Sequence, residues 1–120
     1  MSTADLPVHV KNIKKSLEAV WPSIRKAGSD EQRQLLGAMY DSLTLAERLY
    51  YEIPQGGEAV WNQWRHDVIR PLSLCINSAE LLLTDTESPL NAEQRDYLDS
   101  VYNEAMQLST LIDDIHAQSV

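Results

Sequence analysis

A chain of 120 residues is the size of one compact domain or of two small helical subdomains. Four glycines, no Phe and an abundance of Leu, Ala, Glu and Gln favour helix over sheet and predict an all-α protein. The formal charge of −8 is unevenly divided, with seven Lys/Arg against seven Asp/Glu in residues 1–57 and three against eleven in 58–120, and so acidic a half repels phosphate backbones and anionic lipid, arguing against nucleic-acid or membrane partners.

The first helix is expected over residues 8–27. Its basic cluster Lys11, Lys14 and Lys15 reads as a solvated face. The start, "MSTADLPVHV", has neither the basic opening nor the apolar core of a signal peptide, and no apolar run approaches the roughly 20 residues needed to span a bilayer, so a cytoplasmic location is expected. "AGSDEQ" at 27–32 ends this helix, with Ser29 or Asp30 as the N-cap of a second over 30–52. That helix carries a loose apolar seam of Leu35, Leu36, Met39, Leu43, Ala46, Leu49 and Tyr50. "IPQGGEA" at 53–59 breaks it, because Pro54 and the Gly pair cannot continue a helix. A third helix is expected over 58–84 and a fourth over 92–117, separated by "TDTESPLNAEQ". Asn91 is placed to cap the fourth, with Gln94 as its capping-box partner three residues on. Leu98, Val101, Ala105, Leu108, Ile112 and Ile115 give it a heptad seam of the kind used in helix bundles. The expected organisation is an N-terminal helical hairpin, 1–57, of unassigned role, either an input domain or a pair of helices lying against the rest to complete an intrachain bundle, and a second hairpin, 58–120.

The third helix has two adjacent seams, Ile69, Leu72, Ile76, Ala79 and Leu83 on one line, and Trp61, Trp64, Val68, Pro71, Cys75 and Leu82 on the next. Two seams can be buried on a hairpin partner and on a second chain, which favours a homodimeric four-helix bundle. Cys75, on the apolar side, reads as a small core residue, and the lone thiol agrees with a reducing compartment. At about 100° per residue, His66, Arg70, Ser73, Asn77, Glu80 and Thr84 form a polar stripe facing away from both seams. His66 is therefore expected on the surface, either as a plain solvated histidine or as a reactive one. Pro71 deletes a backbone hydrogen bond to the carbonyl of Asp67 and loosens the turn that carries the imidazole. The Asp67 carboxylate can accept a proton or hydrogen bond from the ring and leave the other nitrogen a better nucleophile.

"HDVIRPL", then "AELLL", an acidic proline-containing turn and "NAEQRDYLDSVYNEAMQLSTLIDDI" together resemble the dimerisation and phosphoacceptor domain of two-component sensor histidine kinases, over residues 58–117. The resemblance implies a hairpin that dimerises into a four-helix bundle, His66 as phosphoryl acceptor and Asp67 as proton acceptor or orienter. In that family an arginine usually stands two positions before the proline, and Thr or Asn immediately before it. Here Ile69 and Arg70 stand there, which puts in question the phosphatase activity usually attributed to the small polar residue. The bulk of Arg70 can reshape the docking of a partner, or its guanidinium can stabilise incoming phosphoryl charge.

Gly28, Gly37, Gly56 and Gly57 show no spacing of a phosphate loop, so autonomous ATP-dependent kinase activity is not expected. His9, His66 and His116 show no metal-ligand spacing, and the chain is expected to bind no cofactor, with Mg²⁺ only in a receiver partner. The favoured reading is a histidine phosphotransfer module that exchanges a phosphoryl group with a response-regulator receiver domain or takes it from a histidine kinase in trans. Its rival is a non-catalytic dimeric adaptor or inhibitor that binds either partner. A third reading is an unrelated four-helix protein with a coincidental HxxxxP.

Overall fold

The computed structural model describes residues 4–119 and places them in four helices, α1 (Asp5–Ala27), α2 (Asp30–Ala46), α3 (Glu58–Thr84) and α4 (Ala92–Ser119), with one 3-10 turn, Glu47–Tyr50, after α2. Each helix packs on its chain neighbours and α1 closes on α4, while the diagonal pairs make no close backbone approach. Contacts such as Lys14–Glu47, Tyr50–Val68, Arg65–Asp113 and His9–Glu104 show every adjacent pair to be antiparallel. The result is an up-down-up-down four-helix bundle of 48 × 22 × 21 Å made by one chain.

The helix starts follow from capping chemistry. Gln32 N donates to Ser29 Oγ (3.1 Å) while Ser29 N donates to Gln32 Oε1 (2.8 Å), and Asn91 and Gln94 repeat the exchange at 2.8 and 3.0 Å. Each capping glutamine also ties its helix to a neighbouring element: Gln32 Nε2 donates to the Ser88 carbonyl and Gln94 Nε2 to Ser23 Oγ, both at 2.6 Å. α3 starts after Gly56, whose φ of 144° is a backbone that side chains rarely adopt, and a Cβ there would lie 2.8 Å from Val60.

Two boundaries differ from the expected ones. α1 begins at Asp5 rather than at residue 8, because Pro7 falls in the first turn, where a missing N–H costs nothing. The second helix, expected through residue 52, gives up its α-form at Ala46 and tightens into the 3-10 turn. That winding carries Tyr50 into the core, where its hydroxyl donates to the Val68 carbonyl at 2.6 Å, and leaves the Leu49 carbonyl to accept from Trp64 Nε1 at 3.3 Å.

The core is a single cluster fed by all four helices. The α4 seam is buried throughout, from Leu98 to Ile115, and α1 supplies an equally regular one of Leu6, Val10, Ile13, Leu17, Val20 and Ile24. In α3, Trp64, Val68, Pro71 and Cys75 turn inward towards α2, and the Ile69 line continues from Asn62 and Arg65, which bond His116 and Asp113 of α4. Within the two α3 seams Trp64, Val68, Pro71, Leu72, Cys75, Ala79 and Leu82 are buried, while Trp61, Ile69, Ile76 and Leu83 stay half-buried at the edge of the core. The N-terminal hairpin thus completes a four-helix bundle within one chain.

Cys75 is fully buried, with its sulfur 3.9 Å from the Met39 carbonyl, and burial pushes the thiol up to about 12. Its thiolate is therefore absent near neutral pH. Thiol-directed alkylation at pH 8 is expected to leave the folded protein unmodified and to go to completion in denaturant, as intact mass would show.

Candidate phosphoacceptor site

His66 sits about two turns into α3, with 61% of its side chain exposed. Arg70, Ser73, Asn77, Glu80 and Thr84 below it are exposed as well, so the polar stripe is a continuous surface. The helix runs unbroken through the buried Pro71, which has no N–H to offer the Asp67 carbonyl.

Asp67 stands beside the ring. Its Oδ1 lies 3.5 Å from His66 Nδ1, a long contact, and accepts from Gln63 Nε2 at 2.9 Å. Gln63 holds the carboxylate from the preceding turn. A carboxylate beside Nδ1 favours the proton on that nitrogen, so that Nε2 keeps its lone pair.

Arg70 has no hydrogen-bond or ion-pair partner among the described residues. With Asp67, Pro71 and Leu74 of α3 it borders a groove whose other wall is Ser42, Leu45, Ala46 and Leu49. Leu45 is 87% exposed, and Leu74 and Leu81 are exposed too. These leucines escape a reading of the seams because they belong to none. The available signal was their angle: Leu74 and Leu81 lie about 80° and 60° around the helix from His66, beside the polar stripe.

The other histidines are engaged elsewhere. His9 Nδ1 lies 2.7 Å from Glu104 Oε1 and His116 Nε2 lies 2.6 Å from Asn62 Oδ1, each joining two helices. Of the three expected site residues, His66, Asp67 and Arg70, all stand on one exposed stretch of α3. Only His66 and Asp67 are in contact.

No helix among the described residues is long and apolar enough to cross a membrane. Comparison with curated proteins and with solved structures gives no match. The model of the His Kinase A (phospho-acceptor) domain family matches residues 59–119, which are α3, the turn after it and α4. On that match, over half of its length, the chain belongs to the His Kinase A phospho-acceptor family and carries a histidine phosphoacceptor domain of two-component signalling.

Proposed function

We propose that this chain is a histidine phosphotransfer module in which His66 takes a phosphoryl group from a receiver aspartate, or from a histidine kinase in trans, and passes it on. The observation that carries the reading is the exposure of His66, with the Asp67 carboxylate beside its Nδ1, on a helix within the family match.

In this reading His66 Nε2 attacks the phosphorus of a receiver acyl phosphate. The N–P bond forms as the P–O bond to the receiver carboxylate breaks, and that carboxylate leaves. The ring becomes positively charged, and Asp67 neutralises it by accepting hydrogen-bonded density, or the proton itself, from Nδ1. Mg²⁺ belongs to the receiver, and the work of this chain is positioning and charge stabilisation. The test is intact mass at neutral pH, which preserves acid-labile phosphohistidine, after mixing with Mg²⁺ and receivers loaded from a small phosphodonor. One added phosphoryl group is expected; none from any receiver, with a kinase in trans equally silent, overturns the reading.

Arg70 enters as the residue that meets the incoming phosphoryl charge. Arg70→Ala is expected to slow transfer about tenfold, the loss of one exposed charge-assisted contact, without changing helicity. Stopped mixing followed by mass readout measures it. A faster rate in the variant would mean that the side chain obstructs docking instead.

The family typically dimerises. Here we assign the place of a second protomer to the N-terminal hairpin, giving one phosphoacceptor per bundle. Sedimentation equilibrium is expected to return the mass of one chain, 13.6 kDa. A stable dimer would show that the outer face of the bundle carries a further interface.

A further inference from the structure

The packing between α1 and α2 is incomplete at one place, where a cavity of about 310 Å³ opens. Gly37 leaves the space: a Cβ built there meets nothing within 4 Å, in a helix interior that any larger straight-chain residue would suit better. The walls are Leu17 and Leu36 at depth and the rings of Trp21 and Tyr40 nearer the mouth, with Trp21 still 37% exposed.

Both charged residues that line it are carboxylates, Glu18 and Asp41. Glu18 accepts from the Tyr40 hydroxyl at 2.7 Å, and this bond, with Glu18, Glu47 and Asp41 nearby, raises the phenol above its ordinary value. Lys14 lies 4.9 Å from the Tyr40 ring centroid and is held by Glu47 at 3.3 Å. Aromatic faces and carboxylates both attract positive charge, while the leucines ask for hydrocarbon.

We propose that this cavity is a binding site for a small organic cation with an apolar body, an aryl- or alkylammonium compound. The volume falls at the lower end of small-molecule sites, about 300–1,000 Å³. Its hydrocarbon would fill the space left by Gly37 against Leu17 and Leu36, and its ammonium would sit between the Trp21 and Tyr40 rings and Glu18 and Asp41. An anion would meet two carboxylates there, and a neutral molecule would forgo both attractions. The site lies outside the family match and gives the N-terminal half of the chain a ligand-sensing role.

Titration calorimetry of the full chain with phenethylammonium chloride, and with neutral 2-phenylethanol as its isostere, tests this. Saturable one-site binding of the ammonium is expected, with the alcohol markedly weaker. Gly37→Leu, whose Cβ meets no atom within 4 Å, is expected to fill the cavity and abolish binding while melting no lower than the parent. Asp41→Asn, an exposed change that leaves packing alone, is expected to weaken the ammonium about two- to fivefold and to leave the alcohol unchanged. Absence of saturable heat from phenethylammonium, equal binding of the alcohol, or full binding retained in a folded Gly37→Leu protein would each overturn the site. Should Gly37→Leu fail to fold, the ammonium–alcohol comparison and Asp41→Asn decide.

Discussion

His66→Ala is expected to abolish phosphoryl uptake completely while leaving the bundle as stable as before. The side chain is mostly exposed and makes only the 3.5 Å contact with Asp67, and alanine is the better helix former, so the change falls within about 0.5 kcal/mol in stability. The chemistry has no substitute: His9 and His116 are tied to Glu104 and Asn62 between helices. Intact mass at neutral pH and circular dichroism on the same sample read both effects. Receiver or kinase binding that persists in the variant, beside a parent that never gains mass, would instead identify an adaptor that works by contact. A parent that gains mass and a variant that gains it equally would move the acceptor elsewhere.

The family and the surface position of His66 were legible because their signals are local. The Asn91–Gln94 capping box and the α3 and α4 seams depend on residues three or four apart, and the matching of 58–84 to Glu58–Thr84 reflects that. The polar stripe beneath His66 emerges from the same periodicity and is exposed throughout. What stayed hidden depends on pairing across the fold. The 3-10 turn exists because Tyr50 reaches the Val68 carbonyl, 18 residues on, and no local propensity encodes that. The second α3 seam was read as a surface for another chain, since an amphipathic face states only that it must be covered and not by what. Within the chain α2 packs along that line, with Met39 at Cys75. The groove beside Arg70 likewise needs Leu45 and Leu74 from two helices, which only the bundle brings together.

Leu72→Ala is expected to cost about 2–5 kcal/mol of folding stability, the usual toll of emptying a buried leucine site, and to lower the melting temperature by on the order of 10 °C. Leu72 is fully buried in the seam that meets α4, immediately after Pro71, where the helix already lacks one backbone hydrogen bond and has less capacity to close over a void. Leu74, two residues on, is its control: it is exposed at the groove, so Leu74→Ala is expected to change stability by about 0.5 kcal/mol or less. Denaturant unfolding followed by circular dichroism gives both values. Below its transition, Leu72→Ala should still take up phosphate at His66, because the imidazole is exposed about 120° around the helix from Leu72, whereas Leu74→Ala should weaken a docking partner while sparing the fold. Similar stabilities for the two variants would mean that α3 is rotated from the orientation that exposes His66, and the phosphoacceptor assignment would fall with it.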